Sequence, residues 1–337
     1  MIKLPSTNVQ GIVLVILGVF ALSVMDACMK LLLDDGYSVE QLLAVRSWMI
    51  VPGMLIWAWR RLPAGALTTK RPKVHFVRVV LGFFAPFCFF NALSVLPLAD
   101  ATVIFFGTTF IMTALSVPIL KEQVGPHRWA AVVCGFLGVV IAAQPGGAFL
   151  GGDGSPEWAY GVVMAVLSSF AYASFMLTTR WMGPGEGTFK QVLYFHVWLG
   201  LVTSVLAAPA FRAMPGADFA LLVLAALIVV AGHLCLTHGF AIAPVGLVAP
   251  FEYTALVWAM GIGYVLWGHI PEPPVMVGAG IIVASGLYLL HRETRKAVAQ
   301  RPAKAGETVI DGASPPAGAP VPPSLIGDGG KPDSSRN

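Results

Sequence analysis

Charge is scarce in this chain. Of 337 residues, 21 are Lys or Arg and 17 are Asp or Glu, so 11% are charged against 57% hydrophobic. A soluble domain usually carries about a quarter charged residues, which excludes an ordinary water-soluble globular fold. Cysteine is scarce too. Cys28, Cys88, Cys134 and Cys235 all lie inside apolar blocks, with neither a disulfide framework nor metal-ligand spacing. His233 and His238 stand five apart, which does not place both on one helical face as a metal pair needs. GGDG at 151–154 has no partner aspartate in a helix. A phosphate-gripping glycine loop and an ATP-binding motif are both missing. No cofactor and no metal are therefore expected.

What is present is apolar sequence in blocks of near twenty residues, recurring from Gln10 almost to His291. That length crosses a bilayer core of ~30 Å at ~1.5 Å per residue. The expected spans are 10–33, 38–59, 74–96, 98–120, 127–144, 158–181, 189–210, 217–240, 245–268 and 274–291. The first block carries Asp26 and Lys30 and lacks a small-residue cleavage site, so it reads as a retained helix and not a signal peptide. Proline, glycine, serine and charge dominate after Arg292, a composition that predicts disorder.

The basic residues fix an orientation. With the N-terminus in the cytoplasm, Arg60, Arg61, Lys70, Arg71, Lys73, Arg78, Lys121, Arg128, Arg180, Lys190, Arg292, Arg295 and Lys296 all fall at the cytoplasmic face, as the positive-inside rule requires. The opposite loops hold Arg212 but also Asp34, Asp35, Asp153, Glu157 and Asp218. Both termini are then inside, and the net positive charge calls for no nucleic-acid partner.

Sliding the chain against itself by about 147 residues brings like onto like, as an internal repeat does. NALSVLPLADATVIFF falls on GFAIAPVGLVAPFEY, with Pro97 on Pro244, and CGFLGVVIA meets IIVASGLYL. Each half then holds five spans, and an odd number forces the halves into opposite orientation. The fold class expected is an all-α membrane protein of ten transmembrane helices in two inverted five-helix repeats, with a site near the midplane between them.

These residues resemble a known family. PLADATVIFFGTTFIMTALSVPILKEQVGPHRWAAVVCGFLGVV is similar to the first EamA domain of the drug/metabolite transporter superfamily, and APFEYTALVWAMGIGYVLWGHIPEPPVMVGAGIIVASGLYLLHRE to the second. MDACMKLL and AVRSWMIVPG match as well. The resemblance covers roughly residues 10–292 and implies ten helices, a central cavity and alternating access. Glu122 ends the fourth span, but His269 stands at the equivalent place after the ninth, a departure that makes any role of that glutamate asymmetric. The domains follow: 1–9 a cytoplasmic N-terminus, 10–144 the first EamA repeat, 145–157 an outer loop, 158–291 the second repeat, and 292–337 a disordered cytoplasmic tail.

An ionisable side chain at the bilayer centre costs at least ~2.5–3.5 kcal/mol and is normally buried with a partner. Asp26 lies ten residues before the turn at Gly36 and Arg46 ten after, so antiparallel helices set them level and in contact. The pair reads as a structural clamp or as a substrate contact. Lys30, one turn along, shares Asp26 or reaches Glu40. Likewise His233 and Glu252 flank the turn at Ala243 at nearly equal distance. They predict a titratable pair, with proton coupling as one role. Pro250 beside Glu252 should break its helix and expose backbone polar groups along a cavity. Asp100 is expected to cap helix four, and His196 and His238 to be helix-end or packing residues. Thr102, Thr109, Thr113 and Ser116 share one face of the fourth span, and Ser168, Tyr172 and Thr179 one face of the sixth. Asn91 and Tyr253 complete the set of substrate or coupling candidates. The run GFFAPFCFFNA, kinked at Pro86, would suit a substrate with a flat or apolar part.

The expected function is a secondary transporter of a small organic metabolite across the inner membrane by alternating access. Its partners are then the lipid bilayer, the metabolite and, on one reading, protons. A passive channel or lipid scramblase is the alternative, and a membrane enzyme is disfavoured. Substrate, direction and oligomeric state stay open.

Overall fold

Proline and glycine punctuate this chain, and most helices begin or end beside one. The computed structural model describes residues 6–63, 65, 67–69, 71–121, 125–143, 155–182, 188–243 and 245–299. Helix α1 (Ser6–Asp34) ends just before Gly36, whose φ of 86° turns the chain. Helix α2 (Val39–Arg61) starts where the Ser38 hydroxyl accepts from the Gln41 backbone N–H at 3.2 Å. Helix α3 (Pro72–Leu93) has proline at its first position, where no N–H is needed. Then come α4 (Leu98–Phe105), α5 (Thr108–Leu120), α6 (Pro126–Ala143), α7 (Pro156–Met182), α8 (Thr188–Ala207) and α9 (Gly216–Ile242). Helix α10 (Val245–Val248) passes through a 3-10 turn at Ala249–Tyr253 into α11 (Thr254–Trp267), which closes on Gly268 at φ 65°. The last is α12 (Pro273–Ala299).

Seven of these stretches are long and apolar enough to cross a membrane: Thr7–Asp34, Val39–Arg61, Pro72–Leu93, Leu98–Ile119, Pro156–Thr178, Phe189–Ala210 and Gly216–Leu236. Trp129–Ala143 and Pro273–Leu289 are shorter apolar helices at two more of the expected positions. The tenth position, 245–268, is broken by the 3-10 turn. Pro250 supplies the reason: a proline has no N–H to donate to the helix. Helix α12 runs past His291 to Ala299, so the first residues of the expected tail are helical. Glu122, the 145–154 part of the expected outer loop and the tail from Gln300 lie outside the described residues. Residues up to Glu293 form one compact unit, and the chain from Thr294 a second.

Helices pack in pairs: α1 on α9, α3 on α7, α2 on α8 and α4 on α11. The α1–α9 crossing is the tightest of these that glycine permits. A Cβ on Gly18 would stand 2.9 Å from the Gly232 carbonyl oxygen, and one on Gly232 3.2 Å from that of Gly18. Gly11 and Gly239 meet the same way one level along. Small residues of this kind let backbones touch where lipid offers no hydrophobic drive for helices to associate.

Candidate functional site

Four of the polar side chains that lie part-way along helices gather between α1, α2, α8 and α9. Arg46 on α2 is buried, with 6% of its surface exposed. Its Nη1 donates to Met25 Sδ at 3.4 Å and its guanidinium lies 5.4 Å from the Phe90 ring. Its Nε has no partner. Asp26 on α1 is within electrostatic reach of Arg46, but among the described residues no ion pair of 4.0 Å or less joins them. The expected contact is thus a facing pair held apart. His196 on α8 feels the charges of both Arg46 and His233, and its Nδ1 is buried without a partner. It lies beside this cluster while its ring packs on Phe195 at 5.0 Å. Helices α2 and α8 pack together, which is why Arg46 and His196 meet. His233 on α9 is exposed, with Nδ1 at 2.8 Å from the Val229 carbonyl.

Glu252 does not pair with His233, contrary to the sequence expectation. It sits in the 3-10 turn, is open to solvent, and has Tyr172 and Tyr253 as its electrostatic neighbours. Counting residues from Ala243 assumed one regular helix. A 3-10 turn advances about 2 Å and 120° per residue, which carries the carboxylate off the face that meets α9. The acid is exposed and has a tyrosine from each of two different elements beside it. Tyr172 lies 5.3 Å from Phe105, and Phe105 5.0 Å from Phe89. Tyr253 stacks on Phe106 at 5.5 Å, its hydroxyl lodged against Gly286 of α12. Phe89, Phe105 and Tyr172 thus form a chain of ring contacts across three helices. Phe83 and Phe87 of the phenylalanine run stack on each other at 5.0 Å.

A second polar group occupies the end of the bundle that carries Gly36. Lys30 takes neither Asp26 nor Glu40. Its Nζ donates to the Leu93 carbonyl at 2.8 Å and to Asp34 at 3.3 Å. Asp34 also accepts the Trp267 indole N–H at 2.7 Å, and Lys30 lies 5.6 Å from that ring. Asp100, 2% exposed, turns its carboxylate to His269 at 3.6 Å and does not cap its helix, where Pro97 takes the N-cap. Nearby, Tyr37 donates to Asp218 at 2.6 Å, which pushes that phenol above its ordinary value, and the Gln41 side-chain amide donates to the Arg212 carbonyl and accepts from the Arg212 N–H.

The hydroxyl stripes face inward on their own backbones. Thr102, Thr113 and Ser116 donate to carbonyls of their own helix, whereas Thr109 is exposed. Ser168 donates to the Ala85 carbonyl at 2.7 Å and Ser169 to that of Ile104 at 3.3 Å, tying α7 to α3 and α4. Asn91 donates to the Phe87 carbonyl and accepts from Tyr160 at 3.1 Å, a tie between α3 and α7. A cavity of about 400 Å³ opens elsewhere, between α2, α8 and the start of α9, lined by Ala44, Trp48, Met49, Ser204 and Phe211. It is apolar, and its one hydroxyl, Ser204, is taken by Trp48 at 2.9 Å. It shares no residue with the Arg46 cluster, whose charges make the better site. Among the described residues no group of three or more His, Cys, Asp and Glu could hold a metal ion.

Sequence reasoning missed Asp34, Trp267 and the glycines of α1 and α9. Asp34 counted there only as a loop acid. The glycines carried a legible signal, since 11 and 18 repeat the spacing of 232 and 239.

Comparison with known proteins bears on this arrangement. Residues 9–144 match the EamA-like transporter family. Over 238 residues the chain is 29% identical to a riboflavin transporter of Rhizobium johnstonii, covering 70% of this chain and 76% of that one. It is 26% identical over 238 residues to an S-adenosylmethionine uptake transporter of Rickettsia felis, covering 70% and 77%. It is 24% identical over 282 residues to the pseudopaline exporter CntI of Pseudomonas aeruginosa, covering 83% and 95%. A crystal structure 18% identical in sequence superposes with a TM-score of 0.55, over 85% of this chain and 98% of that one, a likeness of fold.

Proposed function

We propose that the chain is a secondary carrier of the EamA-like family, a reading supported by the match over residues 9–144, by its similarity to metabolite transporters of the drug/metabolite transporter superfamily and by its several membrane-length apolar helices. Its substrate is a small organic metabolite, moved across the inner membrane by alternating access between two inverted five-span repeats. The pairing of helices is the observation that carries this reading. If α1–α6 repeats as α7–α12, the partner of α1 is the counterpart of α3, and the partner of α3 is the counterpart of α1. Helices α2 and α8 are counterparts and pack on each other. Two-fold related halves produce this exchange, in which equivalent surfaces meet. Phe106 and Tyr253 fall on one another at the repeat offset, and their rings stack at 5.5 Å. A site between such halves opens to one side and then the other as they rock.

The basic loops set both termini in the cytoplasm, so the Gly36 end faces outward. Glu252, on the break between α10 and α11, is the proton-coupling candidate, without the histidine partner expected for it. The purified protein in liposomes tests the function: a carrier gives saturable, substrate-specific counterflow. Leak without saturation identifies a channel, lipid flip-flop a scramblase, and chemical change of substrate an enzyme. In Glu252→Gln, transport should become insensitive to an imposed pH gradient while counterflow persists. Retention of the parent's gradient dependence rejects Glu252 as the proton site.

A further inference from the structure

The apolar cavity of about 400 Å³ takes no part in the carrier reading. Its walls include Val45, Trp48 and Met49 of α2, Ser204 of α8, Phe211 just before α9 and Phe219 near its start. It has little to offer a polar ligand. The Ser204 hydroxyl accepts from the Trp48 indole at 2.9 Å and donates to the Gly200 carbonyl at 2.6 Å, so both polar side chains are already engaged. Trp48, Phe211 and Phe219 are 40%, 57% and 47% exposed. Helices α2, α8 and α9 are of membrane-crossing length and apolarity, so what reaches these rings from outside the bundle is hydrocarbon.

The rim of the cavity is charged. Arg212 follows Phe211, and Gln41 clamps its backbone: the Arg212 N–H donates to Gln41 Oε1 at 3.0 Å and its carbonyl accepts from Nε2 at 2.6 Å. The exposed guanidinium donates through Nη1 to the Asp35 carbonyl at 3.0 Å and lies 5.3 Å from the Tyr37 ring. Among the described residues it forms no ion pair of 4.0 Å or less, and an arginine has five N–H donors. Two acids stand by: Asp218, which accepts from Tyr37 at 2.6 Å, and Asp35, and both act on the same phenol as Arg212. Ala44 and Met49, which also line the cavity, come three and eight residues after Gln41. At the helical rise the cavity thus lies about 4–12 Å deeper than the charged rim. A leaflet offers hydrocarbon over about 15 Å below its phosphates, half of the ~30 Å core.

We propose that this cavity is a lipid site: it seats an acyl chain of a phosphatidylethanolamine from the leaflet at the Gly36 end, with the phosphate on Arg212 and the ammonium toward Asp35 and Asp218. Arginine binds phosphate oxygens through charge-assisted hydrogen bonds. The two acids disfavour a headgroup that is anionic alone and favour one that adds a cation. The site is independent of which solute is carried.

Thermal unfolding of the purified, lipid-stripped full chain in detergent tests it, with phosphatidylethanolamine, phosphatidylglycerol, diacylglycerol and glycerophosphoethanolamine as probes. Phosphatidylethanolamine should raise Tm saturably. Diacylglycerol, without phosphate, and glycerophosphoethanolamine, without chains, should bind about tenfold more weakly or worse. Arg212→Gln should reduce phosphatidylethanolamine to the diacylglycerol level, Asp35→Asn should reduce its preference over phosphatidylglycerol, and Met49→Trp, which fills the cavity, should remove the shift. Equal shifts with phosphatidylethanolamine and diacylglycerol, no shift with any probe, or a shift that survives Met49→Trp overturns the site. A dimeric parent that Met49→Trp makes monomeric assigns the cavity to a second copy and overturns it too. Fluorescence decides where a variant fails to fold. Phosphatidylethanolamine with dibrominated chains should quench a fraction of the parent's tryptophan emission at low lipid ratio, and that fraction should be missing in Trp48→Phe. Its persistence in Trp48→Phe rejects the cavity as the seat of the chain.

Discussion

Lys30 shows how one buried cation is satisfied in a bilayer-length helix. Its ammonium has the Leu93 carbonyl, Asp34 and the face of Trp267, so three helices meet on a single charge. Trp267→Phe keeps the ring and removes the 2.7 Å bond to Asp34. It should lower stability by about 1 kcal/mol, read as a fall in Tm of the purified protein; an unchanged Tm means the bond is not maintained in solution. Asp100 and His269 behave differently, because their 3.6 Å contact is an ion pair only while the imidazole is protonated. His269→Gln should lower the Tm of the purified protein, because the buried Asp100 carboxylate loses the imidazole beside it. An unchanged Tm argues against that contact. Residue counting reached the level of Asp26 and Arg46 because α1 and α2 are both regular helices on either side of a short turn. It could not see that Met25 and Phe90 hold the guanidinium back, since neither has a charge that a sequence pattern would flag.

Element boundaries were legible wherever proline or glycine set them, as at Pro72, Pro97, Pro215 and Gly268. What escaped was phase. The break at Pro250 is visible in the sequence, but the direction Glu252 takes after it depends on whether the chain tightens into a 3-10 turn or resumes an α-helix. That choice is made by packing of Phe251 and Tyr253 against neighbours distant in sequence. Close helix crossings likewise depend on partners distant in sequence. Gly280 is open, with nothing within 4 Å of an added Cβ, whereas a Cβ on Gly278 would stand 2.5 Å from the Gly138 carbonyl oxygen. Gly280→Ala should be neutral or slightly stabilising through helix propensity. Gly18→Val and Gly232→Val should each cost about 1–3 kcal/mol from overpacking. Thermal unfolding of the three variants side by side checks the contrast, and equal behaviour of Gly18→Val and Gly280→Ala would deny the α1–α9 contact.

At the scale of the molecule, the span pattern and the repeat came from composition and self-similarity, which need no side-chain detail. Orientation came from charge asymmetry and has its own measurement. In a cysteine-free background, a cysteine introduced at Asp35 should react with an impermeant thiol reagent added outside whole cells, and one at Thr69 only after lysis. The reverse pattern inverts the assignment. The crossing of α1 and α9 has a mechanical meaning as well. Two backbones in contact at Gly18/Gly232 and again at Gly11/Gly239 have no side chains between them to shear or repack. Sliding would drive Leu22, Val15 or Leu236 into a carbonyl, and parting would leave an empty slot in hydrocarbon. Rotation about the touching line is the cheap movement left, and it is the one the proposed rocking of the two halves would use, with this crossing as its axle.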